Sequence, residues 1–341
     1  EAVVHGALLG GATHFFGYPI TPASEIAHAA ALYFRKSGRL FLQAEDEVNA
    51  VNMLYGAASA GARVMTATSG PGLSLMAEGI SYLAGAELPS VIVDVQRAGP
   101  GLGNIWPEQS DYNMVVKGGG HGNYRNIVLA PNSAQELCDM TYDAFDLADK
   151  YRMVVIILSD AYIGQMMEPV SLPREVKTGS RKDWAVYGNR ESRENLITSI
   201  LMNTQLLSDH NWMLQEKYEK VEREIIDYEE LKVEDADYVF TAFGISARIC
   251  QTAVETLRSE GIKIGLLRMK TLFPFPKQRI RELGKQVKGM FVVEMNNGQM
   301  AEDIELCAGR DTEIFRNNEL GGLVPTTTEL ITQVTSTVKG T

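Results

Sequence analysis

Residues 41–72 read FLQAEDEVNAVNMLYGAASAGARVMTATSGPG, and this stretch decides the fold. A short extended run ends in three acids, Glu45, Asp46 and Glu47. Beyond them the larger apolar residues recur at Val48, Val51, Leu54 or Tyr55, and Ala58, which is helical spacing. Glu47 falls at or just before the first turn, where the positive end of a helix favours a carboxylate. The other face carries Gly56, Ala57, Ser59, Ala60 and Gly61. Glycine weakens a helix by roughly 1 kcal/mol relative to alanine, so a face stripped of bulk predicts a close approach to the backbone. A second apolar run, Val64 to Thr68, opens into Ser69-Gly70-Pro71-Gly72. An ordinary buried helix with an acidic first turn satisfies the same residues, so the flanking segments have to decide.

Upstream, residues 2–12 read as a helix, and His14 to Tyr18 as a buried strand broken at Pro19. In Ile20-Thr21-Pro22-Ala23-Ser24-Glu25, Thr21 is the expected N-cap and Pro22 the first helical residue. Strand, tight turn and helix place Thr21 at the carboxyl end of a strand, where α/β sheets keep their ligands. Downstream, strand 90–95 (SVIVDV) is a continuous apolar run, as in a parallel sheet covered on both faces. Arg97 stands just past its end. The segment from Ala98 to Gly122 reads as one long loop, of a length that is usually functional. Strands 126–130 and 153–158 with helix 133–149 close a first α/β domain, 1–173. Residues 174–235 read as a charged linker with a long solvated helix, and 236–341 as a second α/β domain.

Three hundred and forty-one residues, 45% hydrophobic and 22% charged, suit two compact globular domains. A net charge of −11 without a basic stripe argues against nucleic acid, and against docking of an acidic electron carrier on this chain. No apolar run reaches membrane-spanning length and no charged-then-apolar leader is visible, so a cytoplasmic protein without membrane contact is expected. Cys138, Cys250 and Cys307 form no CxxC pair, and the five histidines have no ligand spacing, so no metal site is expected. Asp94 lies 22 residues beyond Gly72, which imitates a dinucleotide fingerprint. Gly-Pro-Gly-Leu-Ser-Leu lacks the third glycine, so that reading is weak.

Several further segments carry a more specific pattern: YPITP (18–22), QAEDEVNAVNMLYGAASAGARV (43–64), SYLAGAELP (81–89), QRAGPGLGN (96–104), KGGGHGNYR (117–125), DAFDLADKYR (143–152), TLFPFP (271–276) and VVEMNNGQM (292–300). Together they resemble the alpha-type subunit of 2-oxoacid:ferredoxin oxidoreductases. The resemblance is strongest to the 3-methyl-2-oxobutanoate (2-oxoisovalerate) type, then to the 2-oxoglutarate type. It implies two doubly wound α/β domains, a pyrimidine-type thiamine diphosphate domain followed by a transketolase C-terminal-like one. The implied reaction is oxidative decarboxylation of a 2-oxoacid, with coenzyme A taking the acyl group and ferredoxin the electrons.

The resemblance also assigns residues. Glu47 is the acid that hydrogen-bonds the aminopyrimidine of the cofactor, with Glu45 the competing candidate. Thr21 and Arg97 contact the 2-oxoacid, the planar guanidinium suiting its carboxylate. Tyr18, Pro19 and Ile20 line the pyrimidine edge. The Gly118–Gly122 run with His121 either cradles a phosphate or turns the chain, and Asn296, Asn297 and Gln299 receive no duty. No GDG motif for the Mg²⁺-diphosphate and no cluster cysteines occur in the sequence. Both are therefore expected on partners: a beta-type subunit with the diphosphate and Mg²⁺, and gamma- and delta-type subunits, with [4Fe-4S] clusters on partner chains leading to ferredoxin. The alternatives are a subunit of another thiamine enzyme, of 2-oxoacid dehydrogenase or transketolase type, and an assembly subunit without activity.

Overall fold

The structure is a computed structural model that describes residues 1–173 and 175–340. Arg174, the expected first residue of the linker, and Thr341 lie outside the described residues. In chain order, α1 (Ala2–Leu9) leads to β1 (His14–Gly17), α2 (Ser24–Lys36), β2 (Leu40–Gln43), α3 (Glu47–Ser59), β3 (Val64–Thr68), α4 (Gly70–Gly85) and β4 (Ser90–Gln96). Then come α5 (Tyr112–Val116), β5 (Ile127–Leu129), α6 (Ala134–Tyr151), β6 (Val154–Asp160), α7 (Ala161–Gly164) and α8 (Thr204–Glu224). The remainder holds β7 (Tyr228–Leu231), β8 (Tyr238–Ala242), α9 (Gly244–Ser259), β9 (Ile264–Met269), β10 (Thr271–Phe273) and α10 (Lys277–Gln286). It closes with β11 (Gly289–Glu294), α11 (Gln299–Ala308), β12 (Glu313–Asn318) and α12 (Thr327–Gly340).

A seven-stranded sheet runs β10-β5-β6-β4-β3-β1-β2, and a five-stranded one β12-β11-β8-β9-β7. The runs VMTAT, SVIVDVQ and VVIILSD are buried at every residue, which only a parallel sheet covered on both faces allows. In the first sheet β2 lies on one side of β1 and β3 on the other, all three parallel. The chain thus reverses its winding direction at β1, and in such sheets the crevice beyond the carboxyl ends at that point takes ligands. The loops after β1, β2, β3 and β4 meet there.

Two strands cross the boundary expected from the sequence. β10 pairs antiparallel with β5 of the first sheet, and β7, read as linker, pairs antiparallel with β9 of the second. Helix α8 is less solvated than its composition suggests, because Leu214, Tyr218 and Val221 are buried.

The long loop proves to be the pin between the two sheets. Gln109 is fully buried. Its N–H donates to the Met295 carbonyl at 2.7 Å, and its own carbonyl accepts from Asn296 Nδ2 at 2.9 Å. Its side chain donates to the Phe243 carbonyl and accepts from Ser246 Oγ and the Met295 N–H. Gln299 adds bonds to Asn113 N–H and the Ser110 carbonyl. Asn296 and Gln299, left without duty by the sequence, therefore latch the domains together.

Candidate active site

Asp46 is the N-cap of α3, its Oδ1 accepting the Asn49 N–H at 2.7 Å. Glu47 is then the first helical residue and turns inward. Glu45 is exposed and Glu47 only 5% exposed, so burial separates the two candidates. The Glu47 side chain lies against Thr68, at the end of β3, and Gly72, in the first turn of α4. A Cβ placed on Gly72 would stand 2.5 Å from Glu47 Oε1 and closer still to Thr68 Oγ1. Among the described residues no donor from the protein hydrogen-bonds the Glu47 carboxylate. A carboxylate without a protein partner takes its donors from water or from a ligand that reaches it.

Arg97 follows directly on β4 and is partly buried. Its guanidinium donates to the Thr21 carbonyl at 2.8 Å and to the Leu102 carbonyl at 3.0 Å, while buried Nε has no partner. The structure thus joins two of the residues expected at the substrate, through the backbone of Thr21. Tyr18 is 38% exposed, and Pro19 and Ile20 are partly buried, in an extended segment after β1.

The first turn of α4, Gly70–Gly72, lies between the two groups. Gly70, Pro71 and Arg97 line a cleft of about 710 Å³ whose far wall comes from Asn297, Gln299, Leu320 and Gly321 of the second domain. Gly72 faces Glu47, which stands outside that cleft.

One expectation needs correction. Thr21 is not a helix cap: Ala23 is the N-cap of α2 and makes no side-chain cap bond. The Ala23 N–H donates instead to the Ile20 carbonyl, so a turn across Pro22 comes before the helix. The close approach expected at the small-residue face is made at its far end: the Tyr187 ring lies 2.8 Å from a Cβ built on Gly61 and the Val186 N–H donates to the Ser59 carbonyl at 2.8 Å, while Gly56 itself stays open. A second close approach lies on the opposite side, where Gly79 of α4 admits Val51, whose Cγ2 would lie 2.7 Å from a Cβ there.

Other polar residues at the site were not anticipated. Asp94 points past no strand end; it is fully buried in β4, opposite Thr68 in register. Burial, then the facing Asp111, pushes its carboxyl well above the usual range, and burial raises Asp111 too. Glu108 accepts from the Gly99 N–H, Ser110 Oγ and the Gly321 N–H, tying the loop after β4 to the second domain. The available signal was a lone acid inside the apolar run SVIVDVQ. In the glycine run, Gly120 N–H donates to Tyr124 Oη and the His121 carbonyl accepts from Ser81 Oγ, so part of its backbone serves the turn.

Thiamine diphosphate fits these residues on structural grounds. The carboxylate that such a ring needs is present, in a residue only 5% exposed and without a protein partner, and the missing side chain of Gly72 lets that carboxylate and Thr68 pack against the α4 turn.

Comparison with known proteins agrees. Residues 5–234 match the family described as pyruvate flavodoxin/ferredoxin oxidoreductase, thiamine diphosphate-binding, and residues 236–330 match pyruvate:ferredoxin oxidoreductase core domain II. The ketoisovalerate oxidoreductase subunit VorB of Methanothermobacter marburgensis is 60% identical, covering 94% of this chain and 91% of its own. A 2-oxoglutarate synthase subunit KorA of Archaeoglobus fulgidus is 38% identical over 89% of each chain. A solved 2-oxoglutarate:ferredoxin oxidoreductase from Magnetococcus marinus superposes with a TM-score of 0.88 at 29% identity. The match covers 98% of this chain and spans about 64% of that chain's length. A split-gene transketolase, described as an inactive beta4 tetramer, shares the fold at 14% identity, with a TM-score of 0.60 over 98% of this chain and 97% of its own. With its thiamine-binding domain, its core domain II and this degree of likeness, the chain belongs to the pyruvate flavodoxin/ferredoxin oxidoreductase family and is a subunit of a 2-oxoacid oxidoreductase.

Proposed function

We propose that this chain supplies the pyrimidine-side half of an active site that oxidatively decarboxylates 2-oxoisovalerate. The reading is carried by Glu47, a buried carboxylate at a helix N-terminus with no protein hydrogen-bond partner. Its role is to hold a proton at the ring nitrogen N1′ of the cofactor. When bound, thiamine diphosphate supplies a carbon nucleophile for the substrate's oxo group. Gly72, without a side chain, lets Glu47 hold its inward position, and Tyr18, Pro19 and Ile20 bound the ring edge. Arg97, oriented by the Thr21 and Leu102 carbonyls, presents its remaining N–H groups to the substrate carboxylate, a charge-assisted contact that fixes the oxo carbon's position.

The diphosphate, Mg²⁺ and [4Fe-4S] clusters belong to partner subunits, of beta-type and of gamma- and delta-type, through which ferredoxin receives electrons and coenzyme A the acyl group. The open face at Gly56 suits contact with such a chain. The branched substrate is supported by 60% identity to the ketoisovalerate subunit against 38% to a 2-oxoglutarate one. Among the described residues no helix is long and apolar enough to cross a membrane, and we place the complex in the cytoplasm. The test is a kinetic panel on the reconstituted complex with 2-oxoisovalerate, 2-oxoglutarate and pyruvate. The highest kcat/KM is expected for 2-oxoisovalerate; a preference for another 2-oxoacid overturns the substrate assignment.

A further inference from the structure

The carboxyl groups of Asp94, in β4, and Asp111, just before α5, are within hydrogen-bonding reach of each other. Asp94 is fully buried and Asp111 is 8% exposed, and neither Asp94 oxygen nor Asp111 Oδ2 meets a protein donor. Two carboxylates this close, shielded from water, do not both ionise readily. The charged groups facing the pair are Arg97, directly after β4, and Glu108, from the loop that follows. The Glu108 oxygens already accept from Gly99, Ser110 and Gly321. From α4 the Gly70 backbone approaches: a Cβ there would lie 2.9 Å from Asp111 Oδ2. Arg97, Glu108 and Asp111 line the same cleft.

We propose that Asp94 and Asp111 share one proton and act as a positioning pair for Arg97. The single charge they keep balances the guanidinium, and the second charge they withhold would repel an anionic substrate. This rests on the reading of Arg97 as the carboxylate-binding residue. Loss of the shared proton on the alkaline side adds a negative charge beside Arg97 and weakens substrate binding with little effect on turnover of bound substrate.

The experiment has two arms on the holo complex. The first follows 2-oxoisovalerate KM and kcat from neutral pH upward for as long as the complex stays assembled, in wild type and in Asp94→Asn, the neutral isostere that donates permanently to Asp111. Wild-type KM should rise roughly fivefold, about the effect of one partly screened charge, with kcat nearly constant. The rise should be absent in Asp94→Asn. The second arm is infrared difference spectroscopy at neutral pH. A protonated-carboxyl band should be present in wild type and missing in Asp94→Asn. A variant KM that rises as in wild type, or no such band in wild type, overturns the proposal. If no 2-oxoacid turns over, the functional reading fails on its own, and the infrared band still decides whether the proton is shared.

Discussion

Gly72 and Glu47 are in contact through the space that a side chain would take: a Cβ on Gly72 would stand 2.5 Å from Glu47 Oε1. The turn after β3 and the first residue of α3 are thereby fitted to each other. Gly72→Ala forces Glu47 or the α4 turn to move, and overpacking of this kind costs about 1–3 kcal/mol. The expected outcome is a folded, complex-forming chain with a lower melting temperature and at least tenfold lower cofactor affinity. Titration of the reconstituted complex with thiamine diphosphate measures the second effect.

Arg97 spends two N–H groups on the Thr21 and Leu102 carbonyls, leaving others for a ligand. A lysine offers a single point charge and cannot serve both carbonyls and a carboxylate at once. Losing a charge-assisted hydrogen bond costs about 1.5–3 kcal/mol. Arg97→Lys should therefore raise the 2-oxoacid KM by roughly 10- to 100-fold, with a smaller change in kcat, as steady-state kinetics will show.

Gln109 holds the second domain through three side-chain hydrogen bonds, to Phe243, Ser246 and Met295. Gln109→Ala strands those buried partners, at about 1–3 kcal/mol for each group left unsatisfied. Equilibrium unfolding in urea should show a loss of several kcal/mol and separate transitions for the two domains.

The fold was legible because its signals are local. Buried parallel strands read as unbroken apolar runs, and the acid at Glu47 precedes a helical periodicity that needs no tertiary knowledge. What escaped depends on partners distant in sequence. β7 and β10 are short and pair with strands that no local pattern announces. Gln109 is an unremarkable polar residue until Met295 and Phe243 arrive beside it. Thr21 misled because TPASE imitates a capped helix start, yet the chain makes a turn first. The bare face from Gly56 to Gly61 was read correctly as small, but that Val186 and Tyr187 would be what approaches it at Ser59 and Gly61 depends on residues far along the chain.

Asp160 caps α9 across the domain boundary, its Oδ2 accepting the Ile245 N–H at 3.0 Å while Oδ1 accepts from Ile163. Burial pushes its carboxyl up to about 6, against the downward pull of those amides. The folded state therefore holds the proton more tightly than the unfolded one. This contribution to stability is complete below the ordinary value of 3.8 and is lost as pH rises through about 6. A difference of that size corresponds to about 3 kcal/mol. Asp94, Asp111 and Glu294, also raised by burial, act in the same direction. Asp146 and Glu168, held low by their cations and, for Glu168, first by the Ala134 amide, oppose it. Urea unfolding at about pH 5 and about pH 7 should show a shallower pH dependence in Asp160→Asn than in wild type.

The most direct measurement is hydrogen–deuterium exchange at the thiazolium C2 of thiamine diphosphate in the reconstituted complex, comparing wild type with Glu47→Gln. Glutamine keeps the shape but cannot hold the ring proton, so exchange should slow by at least about a hundredfold, the usual size of a lost acid–base contribution, while the complex still assembles. Wild-type exchange in Glu47→Gln would contradict the account.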